Sequence, residues 1–147
     1  MPTADRREQR VLIVAPHGRD AEVISGVIAR DGVDCAVVAH ADNLVDAVEQ
    51  GAAAAIISEE ALSPHALMRV SEWLAKQASW SDFPFVVLLA KRFGAAPAQL
   101  KTTLAALGNV ILLERPLSAD TLATAAGSAL RARRRQYQAR EVLAQRE

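Results

Sequence analysis

Three groups of residues have the types and spacing to do chemistry. His17 and Asp20 follow the first apolar run of the chain, and with Glu59 they would make a His/Asp/Glu set of the kind that holds a metal ion. The simpler reading puts Asp20 at the start or cap of a helix, where a short carboxylate serves the first free N–H groups, and leaves His17 in a solvated loop. Ser58, Glu59 and Glu60 close the third apolar run in "GAAAAIISEEAL", residues 51–62, and two cations, Lys91 and Arg115, follow later runs. Such a set could itself accept phosphate, or bind and act on a small ligand, with Glu59, Ser58 and Arg115 doing the work. It could equally form a standing ion pair across a pocket, loose and worth about 0–1 kcal/mol if exposed. The third group is "RARRRQYQAR" near the end, which reads as a nucleic-acid footprint or, with one tyrosine and no base-reading motif, as a solvated coupling helix. His40 and His65 stand alone and suit surface or helix-start positions.

These residues need elements to position them. Five short, β-branched, nearly unbroken apolar runs recur: "VLIVA" at 11–15, "CAVVA" at 35–39, "AAAIIS" at 53–58, "FVVLLA" at 85–90 and "VILLE" at 110–114. Strands buried on both faces of a parallel sheet have that pattern. Helical stretches separate them. "DAEVISGVIARDG" puts Val23, Ile24, Val27 and Ile28 on one face and stops at Gly32, and "DNLVDAVEQG" does the same with Leu44, Val45 and Val48 before Gly51. Ser63 and Pro64 open a third helix as N-cap and first residue, "APAQLKTTLAALG" carries Leu100, Leu104 and Leu107, and Ser118 opens the last. Alternation with short connections predicts right-handed crossovers, hence an α/β, flavodoxin-like (βα)5 three-layer sandwich with sheet order 2-1-3-4-5. Ligands in such sheets sit beyond the carboxyl ends of the strands, just after Val14, Ile57, Leu89 and Leu113.

The bulk numbers agree with one such domain. The chain has 147 residues, 51% of them apolar, and a formal charge of zero, so nothing draws it globally to nucleic acid or membrane. Its one cysteine, Cys35, sits in an apolar run and is expected to be a buried thiol. The start "MPTADRREQR" lacks the apolar core of a signal peptide, so a cytoplasmic protein is expected. Trp73 and Trp80, on or just past the third helix, are expected to pack in or beside the core.

Residues 10 to about 130 resemble the receiver domain of two-component signalling proteins. "RVLIVAPHGRDAEVI" resembles that family's first strand and helix, and "GAAAAIISEEAL" its third strand and following loop. "FPFVVLLAKR" resembles the fourth strand with Pro84 before it, and "VILLERPL" the fifth strand running into a basic residue and a proline. The resemblance implies two acids for Mg²⁺ after the first strand, an aspartate accepting phosphate after the third, a hydroxyl after the fourth and a lysine before the proline. The matching positions here are Ala15 and Pro16, Ser58, Leu89 and Arg115, with Pro116. Only Arg115 keeps its charge type and Pro116 its role. Mg²⁺ needs oxygen ligands, carboxylates among them, which Ala15 and Pro16 do not supply. Ser58 cannot form an acyl phosphate, and Glu59, one position late, is expected to point elsewhere.

The implied protein is a degenerate receiver, similar to those at the N-terminus of some sensor histidine kinases. No catalytic residue, metal or cofactor is assigned to it. Residues 1–9 are expected to be flexible, 10–130 to form the domain, and 131–147 to be a helical extension leading into a sensory or kinase domain. A helix from Ser118 to Glu147 would run about 45 Å, too long for the sheet to cover, so its second half is expected to project. Leu122, Ala125, Ala129, Ala132, Gln136, Ala139 and Leu143 follow a 3–4 spacing, thin as a coiled-coil seam but suited to a two-fold helix pair with the arginines outside. Coupling and homodimer formation are assigned to Leu122, Ala129, Arg133, Tyr137 and Leu143.

Overall fold

Branched and long apolar side chains in runs of three to five residues form the strands, and the polar, capped segments between them form the helices. The structure, a computed structural model, describes residues 6–90 and 98–146. In chain order the elements are β1 (Val11–Val14), α1 (Asp20–Ala29), β2 (Cys35–Val37), α2 (Leu44–Glu49), β3 (Ala54–Ser58), α3 (Pro64–Ala75), β4 (Phe85–Leu89), α4 (Ala98–Leu107), β5 (Val110–Glu114) and α5 (Ala119–Gln145). Short 3₁₀ turns at Ala41–Asn43 and Glu59–Ala61 precede α2 and α3. The five strands are parallel and ordered β2-β1-β3-β4-β5, as the alternation predicted.

The pleat sends alternate residues to opposite faces. Leu12, Val14, Ala55, Ile57, Phe85, Val87 and Leu89 face one side, packed with Leu44, Val48, Val70, Leu100 and Leu107 of α2, α3 and α4. Val11, Ile13, Ala54, Ile56, Val86 and Leu88 face the other, under Ile24 and Ile28 of α1 and Leu122, Ala125, Ala126, Ala129 and Leu130 of α5. Each fully buried Val, Leu or Ile contributes about 1.5–3 kcal/mol by leaving water. The central strands β1, β3 and β4 are wholly buried, whereas β2 and β5, at the edges, are only partly so. Cys35 on β2 is therefore half-buried rather than enclosed, and burial raises its thiol pKa.

The caps fall where the sequence put them. The Ser63 and Ser118 hydroxyls accept the backbone N–H groups of Ala66 and Thr121 at 3.1 and 3.0 Å, and Pro64 opens α3. Gly51 needs to be glycine for two reasons: its φ is +118°, and a Cβ there would lie 3.0 Å from that of Arg7.

Two expectations are corrected. The last helix does not leave the globule at residue 131. Arg133 and Tyr137 are only 6% and 8% exposed, and contacts continue to Arg140, beyond which residues 141–146 are all exposed. Nor is the arm before β1 free through residue 9. Arg6 pairs with Asp34 at 3.0 Å, and Glu8 pairs with Arg140 at 2.7 Å while its carbonyl lies 3.0 Å from the Tyr137 hydroxyl.

Candidate functional site

The register sets the rim where β1, β3 and β4 end. Val14 lies beside Ile57, and Ser58 beside Leu88, so Ala15, Ser58 and Leu89 come to one edge of the sheet. That edge is where open α/β sheets bind ligands. Ala15 and Leu89 are buried and apolar, and Pro16 is exposed. Ser58 is 1% exposed, and its hydroxyl donates to the Val14 carbonyl at 3.4 Å. The hydroxyl is enclosed at the strand end, within reach of the Val14 carbonyl and of the Glu60 carboxylate.

The acids lie differently from expectation. Glu59 does not point away. The 3₁₀ turn that starts at Glu59 directs its carboxylate across the rim, where Oε1 accepts the Ala90 N–H at 3.0 Å, just past the end of β4. Glu60 receives Arg115 Nη1 at 2.5 Å, and Asp20 stands 3.6 Å from Arg115 Nη2, so the expected cross-pocket ion pair is present as a Glu60–Arg115–Asp20 chain. Burial works against the Glu60 charge, but the Arg115 hydrogen bond and charge, a backbone N–H and the Ser58 hydroxyl outweigh it and lower the carboxyl pKa. Lys91, the other cation expected here, lies outside the described residues. Pro116 follows Arg115 through a cis peptide bond.

The His17, Asp20 and Glu59 side chains do not make a metal site: among the described residues no three His, Cys, Asp or Glu groups converge for one. His17 is exposed and Asp20 is the first residue of α1. His40 and His65 are not alone, because both flank Asp42. His65 Nδ1 is 3.1 Å from Asp42 Oδ1, and His40 Nδ1 accepts the Asp42 N–H at 3.2 Å.

A second constellation, unforeseen as such, lies near residues that precede the strands. The Arg133 guanidinium stands 5.2 Å from the Trp80 and Phe83 ring centres and 4.9 Å from that of Tyr137, within cation–π range. Its Nη1 donates to Ser81 Oγ at 2.8 Å and Gln136 Oε1 at 2.6 Å, while its buried Nε has no partner among the described residues. Arg140 stacks on Tyr137 at 4.5 Å and on Trp80 at 5.2 Å while its Nη atoms hold the Glu8 carboxylate. Gln136 exchanges hydrogen bonds with the Asp82 backbone. Arginines 133 and 140 thus rivet α5 to the α3–β4 loop and the N-terminal arm. Of the residues assigned to coupling, Leu122, Ala129, Arg133 and Tyr137 are buried against this chain's own core, and Leu143, 43% exposed, faces solvent. Among the described residues no helix is long and apolar enough to cross a membrane.

No protein-family model matches the sequence, and no curated protein matches it either. Solved structures do resemble the fold. NtrX from Brucella abortus, solved in complex with ADP, superposes with a TM-score of 0.69 at 15% identity over 90% of this chain and 28% of its own. This chain therefore spans less than a third of that protein. A CheY-like response regulator receiver domain protein from Methanospirillum hungatei gives 0.68 at 12% identity, over 87% of this chain and 98% of its own. The receiver domain of a Francisella response regulator gives 0.64 at 17%, over 84% and 97%. The fold of this chain is that of the response-regulator receiver domains.

Proposed function

We propose that this chain is a pseudo-receiver: a non-catalytic regulatory module of a bacterial two-component signalling protein that acts through protein contacts rather than by accepting phosphate. The observation that carries this reading is the rim itself. At the three strand ends stand Ala15, Pro16, a buried Ser58 bonded to the Val14 carbonyl, and Leu89. None supplies the paired carboxylates a Mg²⁺ ion would need, and a serine hydroxyl cannot become a mixed anhydride. The nearest carboxylates are engaged, Glu59 on the Ala90 N–H and Glu60 on Arg115.

The module belongs in the cytoplasm, in the chain of a sensor histidine kinase, with α5 leading toward the next domain. Partner contacts then fall to the outer end of α5, where Val142 and Leu143 are 49% and 43% exposed, since its inner surface is taken up by this chain's own sheet. A two-fold pairing through those last turns would move with any shift of the helix.

The test is incubation with Mg²⁺ and acetyl phosphate, followed by intact mass and amide NMR with beryllofluoride. Unchanged mass and unshifted resonances at Ala15, Ser58 and Ala90 are expected. Mg²⁺-dependent labelling at the rim would overturn the reading. Sedimentation over a range of concentrations, with and without residues 141–147, tests the pairing: loss of a dimer on truncation is expected, and a monomer throughout rejects it.

A further inference from the structure

A cavity of about 610 Å³ opens beside the rim, between α1 and the first turn of α5. Small-molecule sites fall between about 300 and 1,000 Å³ and are mostly apolar with a few fixed polar groups. This one has that make-up. Val23, Ile24 and Val27 of α1 form one wall, Leu117 and Leu122 the other, and Leu88 of β4 reaches it from the sheet. Val23 is 62% exposed, which leaves a large apolar side chain facing water where it lines the opening.

The polar groups are Asp20, Arg115 and Ser118. Ser118 is spent on Thr121, whose N–H and hydroxyl both contact it. Arg115 is only partly spent. Glu60 takes Nη1, but Asp20 stands 3.6 Å from Nη2, too far for a hydrogen bond. A guanidinium offers five N–H donors in a planar fork suited to a carboxylate. The cavity therefore presents an apolar chamber with an underused donor fork beside a half-exposed Asp20.

We infer that this cavity binds a small amphipathic organic anion: an apolar ring or short chain between α1 and α5, with a carboxylate on the open side of Arg115. The site is separate from the contact-only role proposed above and does not require it. A ligand there would touch α1, β4 and the start of α5 together, and so would bias how α5 sits.

The probe is 2-naphthoate titrated into ¹⁵N-labelled protein, with the uncharged 2-naphthylmethanol beside it. Saturable amide shifts are expected at Val23, Val27, Leu117, Ala119 and Leu122. Arg115→Gln should weaken the carboxylate about tenfold, the equivalent of one charge-assisted hydrogen bond, and leave the alcohol unchanged. Val23→Trp, which places an indole over the opening at an already exposed position, should weaken both. Dispersed spectra of each variant establish folding. No saturable shift with the wild-type chain, shifts centred elsewhere, or an equal effect of Arg115→Gln on both probes would overturn the inference.

Discussion

The Arg133 guanidinium lies 4.9 Å from the centre of the Tyr137 ring, one turn further along the same helix, and both side chains are buried. A cation excluded from water is costly unless its surroundings replace the lost hydration. Here three ring faces and two hydrogen-bonded oxygens do so, and the same contacts fasten α5 to Trp80, Ser81 and Phe83. Removing the side chain leaves a void and frees the loop. Arg133→Ala should cost about 2–4 kcal/mol, combining cavity formation with the lost cation–π contacts. Arg133→Met, which fills the space without a charge to bury, should cost less than half as much. Urea denaturation of the two variants checks this, and equal losses would contradict it.

Tyr137 gives an alkaline signature that is easy to read, because the chain has a single tyrosine. Its hydroxyl lies 2.9 Å from the Ala52 carbonyl and 3.0 Å from that of Glu8, so its one proton serves whichever carbonyl it faces. Burial raises its pKa above 10.0, with the Glu8 charge adding to the rise and Arg133 and Arg140 opposing it. A folded pKa above the unfolded one means the stabilisation is complete below pH 10.0 and is lost as pH climbs through the higher folded value. Tyrosinate absorbance should therefore appear later in the native protein than in urea. Tyr137→Phe should cost about 1–2 kcal/mol below that range and flatten the alkaline limb of stability against pH. Coincident native and unfolded titrations would contradict the geometry.

Much of the fold was legible because burial on both faces of a parallel sheet removes polar residues from the strands, so "VLIVA" and "FVVLLA" stand out against their surroundings. The caps at Ser63 and Ser118 were legible because capping is local, decided within three residues. The reach of α5 was not. "RARRRQYQAR" reads as a solvated face, since nothing within the helix shows that Trp80 and Phe83, some fifty positions away, will wrap Arg133. The residue types at the rim were readable directly, whereas the Glu59 contact with Ala90 depended on a 3₁₀ turn that re-aims one side chain. The α1–α5 cavity has no signature in the sequence, because it is what helix packing leaves unfilled.

The Glu60–Arg115 pair should show itself at acid pH. The Glu60 carboxyl is lowered from its ordinary 4.5, so its contribution is present above pH 4.5 and is lost as pH falls through the lower folded value. Glu60→Gln should cost no more than about 1 kcal/mol at neutral pH, since both side chains reach solvent. The gap between wild type and variant should hold from neutrality to mildly acid conditions and close below them. Denaturation midpoints at pH 7, 5 and 3 measure it, and a gap that widens on acidification would reverse the assigned sign.

Placing an aspartate at the third strand end should not by itself confer phosphate chemistry. Ser58 is 1% exposed and bonded to a carbonyl, so Ser58→Asp would put a carboxylate into a buried position facing a like-polarised oxygen. Ala15 and Pro16 would still supply no second acid for Mg²⁺. The single variant should lose about 2 kcal/mol or more at neutral pH, recover part of it when acid protonates the new group, and remain unlabelled by acetyl phosphate with Mg²⁺. Adding Ala15→Asp and Pro16→Asp gives a divalent ion three carboxylates at one edge, so in the triple variant Mg²⁺ should raise the melting temperature, as it should not in wild type. A Mg²⁺-dependent phosphate adduct on the single variant would show that the rim can hold Mg²⁺ and phosphate without carboxylates at Ala15 and Pro16.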